Sequence, residues 1–302
     1  MIEDLKKRVY LYLLFSFVLA WGVWIGCYVF GASPVVTQVA SAAVMWAPAG
    51  AIWITRNMTG KGQILAYSLK PKLKSNIKNY LCAWWLPAFA VALGAVLYFC
   101  AFQNDFDRSF SALNQLVTQT LGPSADLPVS PLFIAAAQII GSLIFAPFIN
   151  MFFALGEEIG WRGFLFPALS QRFSYVKAHL LVGLIWGIWH TPINMMGHNY
   201  GLNYPGYPWA GIIAMCIFTF STGVFLSWLT EKSQSIWPAA LAHGSINAAA
   251  GIPFLFNAAG AGSSNQIFGP GISALIAGVP MLIFAIALMY REATSDERSK
   301  QI

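Results

Sequence analysis

The chain has 302 residues, 58% of them hydrophobic and only 9% charged. Soluble domains carry about 25% charged residues, so this composition excludes a water-soluble globular protein and points to an all-α polytopic membrane protein, with 1–302 forming a single transmembrane domain. The formal charge of +6 is not read as a nucleic-acid footprint: no nucleic-acid partner is expected, and the lipid bilayer is the partner that the composition implies.

About 20 apolar residues cross a bilayer as a helix. Taken in order, the predicted spans are Val9–Phe30, Val35–Thr55, Tyr80–Phe102, Leu132–Leu155 with an extension, His179–Gly197, Trp209–Leu229, Ile236–Phe256 and Gly271–Tyr290. The charged start, Met1 to Arg8, precedes an apolar run too long for a signal-peptide core, so it reads as a retained first span. The stretch from Leu132 to Gln171 exceeds one span, and Pro147 is expected to kink it. The connections Arg56–Asn79 and Gln103–Ser130 are each expected to hold a short interfacial helix. Cys27, Cys82, Cys100 and Cys216 lie far apart in apolar segments and read as small core residues, neither disulfides nor a metal cluster.

Charge placement orients these eight transmembrane helices. With both termini cytoplasmic, every Lys and Arg except Arg108 falls on the inner side, as the positive-inside rule requires. The expected location is an integral, multi-pass protein, in the plasma membrane if the source is prokaryotic. The outer loop 198–208, rich in Tyr, Gly and Pro, reads as a plain solvent loop, with a cap over the site from outside as the alternative, and His179 and His198 read as surface residues.

The candidate chemistry begins at Gly156-Glu157-Glu158-Ile159-Gly160-Trp161-Arg162, which ends an uncharged run from Leu132 to Leu155. A carboxylate in hydrocarbon costs roughly 2.5–3.5 kcal/mol on insertion scales, so its default reading is functional. Arg162 follows Glu158 by one helical turn and can pair with it. His190 sits in the fifth span, just before Pro192; His243 and Asn247 project from one face of the seventh. Counted from the predicted cytoplasmic ends, His190 lies about 16 Å deep, His243 about 10 Å, Asn247 about 16 Å and Glu157 about 21 Å. These groups therefore converge on the cytoplasmic half and middle of the membrane. Two carboxylates, two histidines and an amide suit amide hydrolysis: a Glu–His pair activates water, and a second His with Asn receives the oxyanion. The same set could hold zinc through Glu157, His190 and His243, although no H-E-x-x-H is present, so the cofactor expectation is none or Zn.

Together, Glu157-Glu158-x-x-x-Arg162, an aromatic-x-x-x-His ending at His190, and His243-x-x-x-Asn247 resemble the three motifs of the CPBP (ABI) intramembrane proteases. This family includes the type II CAAX prenyl endopeptidases and bacteriocin-processing and immunity proteins. The likeness covers roughly 130–255, the expected catalytic core. Trp186 departs from the more frequent Phe but keeps an aromatic ring. The resemblance implies eight spans and a site opening toward the cytoplasm. Glu157 and His190 would activate water, His243 and Asn247 would form the oxyanion hole, and Glu158 and Arg162 would support them. It also implies a peptide substrate, CAAX-type and prenylated or bacteriocin-type, and leaves the glutamate and metalloprotease mechanisms both open. The alternatives are a non-catalytic immunity or scaffold protein and a proton-coupled transporter; the absence of paired halves with broken helices speaks against the transporter.

Overall fold

The structure, a computed structural model, describes residues 2–60, 64–122, 130–261 and 263–300. Its helices are α1 Ile2–Val29, α2 Pro34–Val44, α3 Ala47–Thr59, α4 Ile77–Ala101, α5 Ser111–Leu121, α6 Pro131–Ile140, α7 Ala146–Gly160, α8 Phe166–Ser170, α9 Tyr175–Trp189, α10 Thr191–Met195, α11 Trp209–Ser233, α12 Trp237–Ala249 and α13 Val279–Lys300. Among the described residues there is no strand, only the isolated bridges Ser68–Ser235 and Phe106–Asn257. The all-α expectation therefore holds.

Five stretches are long and apolar enough to cross a membrane: Glu3–Val29, Ile77–Ala101, Pro131–Ser170, Trp209–Ser233 and Trp237–Phe256. A sixth arises if α2 and α3, bent by 41° where Pro48 opens the second helix, count as one span. The described residues thus give fewer clear spans than eight. The fifth predicted span is the short helix α9, stopped at His190, with Pro192 starting a separate short turn of helix, α10. The eighth departs from its predicted start: α13 opens only at Val279, and 271–278 run as irregular turns in which the Ile276 and Ala277 amides bond back to the Phe268 carbonyl. Pro280 lies in the first turn of α13, where its missing N–H costs nothing. Of the two predicted interfacial helices, the outer one is α5, with 123–129 outside the described residues. The inner connection shows only the 3₁₀ turn Leu73–Ser75, with 61–63 outside the described residues.

The fourth predicted span is one continuous rod from Pro131 to Ser170, broken by two π-turns, Gly141–Phe145 and Trp161–Leu165. Each π-turn precedes a proline. Proline removes the hydrogen bond to the carbonyl four residues back. For Pro147 that carbonyl belongs to Leu143, and the Trp84 indole N–H donates to it at 2.7 Å. For Pro167 it belongs to Gly163, and the Ala66 amide donates to it at 2.9 Å.

α7 packs antiparallel on α12 and against α3; α9 packs on α11, and α4 covers α12. Close approach is built into glycines. Cβ atoms on Gly183 and Gly187 of α9 would meet the α11 backbone at Phe220 and Cys216, at 2.5 and 2.6 Å. Gly156, Gly160 and Gly244 bring α7 equally near α3, Tyr12 and α12. At the basic end of the bundle, Lys72, Asn76 and Trp237 tie the 64–79 connection to the α11–α12 junction through the Gln234, Ser233 and Leu69 carbonyls. Phe89, Trp53 and Ile149 point outward, as side chains bathed in lipid would.

Candidate active site

Glu157 and Glu158 stand near the end of α7, inside the main core cluster, at 2% and 0% exposure. Isolated carboxylates do not survive such burial; each must be hydrogen-bonded or paired. Both are. Glu157 Oε2 accepts the indole N–H of Trp161 at 3.1 Å and that of Trp186 at 2.7 Å. Glu158 Oε1 accepts from Arg162 Nη1 at 3.1 Å and lies 2.8 Å from His243 Nδ1. Arg162 is fully buried, and its guanidinium lies over the Trp186 ring at 4.3 Å. Adjacent glutamates thus have separate partners: one is held by neutral indoles, the other links a guanidinium to an imidazole.

His190 caps α9, and its Nδ1 lies 2.9 Å from the Trp186 carbonyl. A carbonyl only accepts, so Nδ1 carries the proton and Nε2 presents a bare lone pair. Asn247 lies one turn beyond His243 on α12 and is exposed. Glu157, His190, His243 and Asn247 all line one chamber of about 340 Å³. Glu158 and Arg162 lie behind its wall. All six residues predicted to carry the chemistry are therefore in this chamber or one contact away from it.

Several lining groups carried no sequence signal that was read as functional. Gln38 and Ser41 come from α2, and Trp24, which donates to Ser41 Oγ at 3.0 Å, from α1. Asn150 also lines the wall. It is a lone amide in an apolar run, seven residues and so two turns before Glu157, and that spacing was the available signal. The 198–208 segment is an exposed loop at His198, Asn199, Leu202, Asn203 and Tyr207, as expected, but two of its tyrosines anchor it inward. Tyr200 and Tyr204 are 0% and 4% exposed, and His198 and Asn199 face the chamber. The Tyr200 hydroxyl donates to the Ser273 carbonyl at 2.9 Å, which fixes the segment over the bundle. His198 is exposed, as expected, whereas His179 is not a surface residue: it is 2% exposed and stacked on Phe166 at 4.3 Å.

Among the described residues no three His, Cys, Asp or Glu side chains are grouped to hold a metal ion. The bonds to Glu157 Oε2, His190 Nδ1 and His243 Nδ1 leave Glu157 Oε1 and both Nε2 atoms free, so these contacts do not themselves block the zinc set Glu157, His190 and His243.

Depth along the helices departs from expectation only at His190. α9 begins at Tyr175 rather than His179. His190 therefore lies about 22 Å along it, and Glu157 about 20 Å back from Ser170.

Residues 134–249 match the family model described as type II CAAX prenyl endopeptidase Rce1-like. "CAAX prenyl protease 2" of Methanococcus maripaludis is 31% identical over 102 residues, 33% of this chain and 37% of that protein. The match thus spans little more than a third of the relative's length. The likeness to type II CAAX prenyl endopeptidases covers the segment that carries all six of the residues predicted from the sequence.

Proposed function

We propose that this chain is an intramembrane endopeptidase of the plasma membrane in which Glu157 and His190 activate a water molecule. The observation that carries this reading is the clamping of one Glu157 oxygen by two indole N–H groups on the wall of a chamber shared with His190, His243 and Asn247. A carboxylate fixed in this way offers its remaining lone pairs to a water at no reorganisation cost. The water loses a proton to Glu157 or to the bare His190 Nε2, and its oxygen attacks the scissile carbonyl. The developing oxyanion accepts hydrogen bonds from the Asn247 amide and from His243 Nε2. Collapse breaks the C–N bond, and the stored proton passes to the departing amine. His243 can donate from Nε2 while its Nδ1–H faces Glu158 only as an imidazolium, and this gives the Glu158–Arg162 pair its task.

Peptides are the substrate class; CAAX-type and bacteriocin-type processing are the two forms considered. The test uses purified protein in detergent with a quenched peptide library. Glu157→Gln keeps the shape and both indole contacts but removes the base. It should lower turnover by roughly 10²–10⁴-fold, the usual worth of a general base. Zinc chelation by 1,10-phenanthroline should leave turnover unchanged. Cleavage by Glu157→Gln at the wild-type rate would sink the proposal, and loss of activity to the chelator would replace the glutamate mechanism with a metal one.

A further inference from the structure

We infer that Asn150 and Gln38 form a carboxamide clamp for the main chain of the bound peptide, set about three residues from the bond that is cut. The inference rests on the reading of the Glu157 chamber as the peptide-cleaving site and adds two substrate-binding residues to it.

Asn150, Phe153 and Glu157 all line the chamber from α7. Steps of three and four residues put them on one stripe of that helix. Asn150 precedes Glu157 by two turns, about 10.5 Å along the stripe. α12 presses on α7 at the height of Asn150: a Cβ on Gly244 would meet the Met151 amide nitrogen at 2.5 Å and the Asn150 carbonyl carbon at 2.9 Å. Asn247, about one turn past Gly244, lines the same wall. Gln38 reaches this height from α2. A Cβ on Gly156 would lie 2.6 Å from the Met45 carbonyl oxygen, and one on Gly160 would lie 2.5 Å from Pro48 Cβ. The two segments therefore run in the same direction. Gln38 comes seven residues before Met45 and Asn150 six before Gly156, so both stand about two turns back from one contact.

The fold uses neither carboxamide. Among the described residues Asn150 and Gln38 have no hydrogen-bond partner, whereas Asn199 on the same wall donates to Asn194 Oδ1 at 3.2 Å. A peptide in the chamber has the complementary need. The rings of Trp24, Phe153, Trp189 and Phe218 line it, and against them a main-chain N–H or C=O without a partner is costly. A primary carboxamide offers two donors and an acceptor, so it pairs with a peptide unit whatever side chain that unit carries. An extended peptide advances about 3.3 Å per residue, and 10.5 Å therefore covers about three residues. The clamp fixes the register of the chain while Glu157 and Asn247 face the reacting carbonyl.

The test uses the full-length protein in detergent and the quenched peptide that the wild type cleaves fastest. That peptide is remade as a series in which one main-chain amide at a time becomes an ester, which removes a single N–H. One ester about three residues from the cut should lower wild-type kcat/KM roughly 2- to 12-fold, the worth of a neutral hydrogen bond, chiefly through KM. Asn150→Leu and Gln38→Met, each close in size to the original, should lose as much with the parent peptide. At least one of them should show no further loss with that ester. Binding of the parent peptide to Glu157→Gln, followed by fluorescence anisotropy, should weaken by the same factor when either substitution is added. Should Asn150→Leu fail to fold, Gln38→Met on its separate helix decides. Wild-type KM in both variants, or an ester penalty undiminished in both, overturns the clamp and leaves the protease reading standing. A wild type that cleaves no peptide removes the protease reading and the clamp with it.

Discussion

The Trp186 indole performs two jobs that a phenyl ring would separate: its N–H holds Glu157 Oε2 at 2.7 Å, and its face carries the Arg162 guanidinium at 4.3 Å. Trp186→Phe should keep the stacking and lose the donor, leaving Trp161 alone on Glu157. A hydrogen bond to a charged group is worth about 1.5–3 kcal/mol, so turnover should fall roughly 10- to 150-fold with KM little changed. A change confined to KM would show that the bond does not position the base. The second prediction concerns the ion pair behind the wall. Glu158→Gln leaves Arg162 charged and buried without its carboxylate, which should cost about 3–5 kcal/mol of stability. Adding Arg162→Met should recover most of that loss in a thermal melt but none of the turnover, because His243 remains unsupported. If the double variant melts no higher than the single one, the pair is not the source of the cost. At this scale the ionisable groups were legible, since a carboxylate or imidazole in an apolar run stands out against its cost. The tryptophans were not: membrane chains carry Trp chiefly at the interfaces, and nothing local marks which of the twelve here turns its N–H inward. His179 was misread for the opposite reason, because a helix start suggests solvent while Phe166 and Tyr175 in fact enclose it.

Prolines and glycines decide how the elements fit. Pro147 and Pro167 each free a carbonyl inside the long rod, and each carbonyl is taken by a donor from elsewhere in the chain, Trp84 or Ala66. The π-turns before them rotate α7 against what precedes and follows it, so the face carrying Glu157 and Glu158 is set by these two breaks. Trp84→Phe should leave the Leu143 carbonyl without its partner in an apolar setting, at a cost of about 1–3 kcal/mol. The check is the melting temperature in detergent beside Trp53→Phe, whose indole is 69% exposed; equal shifts would mean the Trp84 bond contributes nothing. Pro147 was expected to disturb the rod, and the disturbance is there, but as a π-turn whose freed carbonyl finds a distant partner that no local pattern reveals. The close helix contacts were written in the sequence as Gly156-x-x-x-Gly160 and Gly183-x-x-x-Gly187, a spacing that lets membrane helices touch at the backbone. The end of α9 and the late start of α13 were less legible, because apolar composition continues smoothly across both while the backbone does not.

For the molecule as a whole, composition and charge decide most of the outcome. The scarcity of charge announced the bilayer, and most of the Lys and Arg residues gather at one end of the bundle. What composition does not reveal is that 198–208 folds back over that chamber, since its tyrosines suit a loop and a lid base equally well. The rod from Pro131 to Ser170 has 40 residues, about 60 Å of helix, roughly twice the hydrocarbon thickness. Part of it must tilt or leave the lipid, and the outward side chains say which part stays. Phe89 on α4 and Ile149 on α7 are 69% and 61% exposed with no protein neighbour to cover them. In water such a band would drive aggregation; in lipid it is solvated. Nitroxides placed at 89 and 149 in reconstituted protein should therefore collide more with dissolved oxygen than with a water-soluble nickel chelate, and one at 74 should show the reverse. Nickel access at 89 and 149 equal to that at 74 would mean that these faces meet water, and the bundle would then need a different immersion from the one its charge pattern dictates.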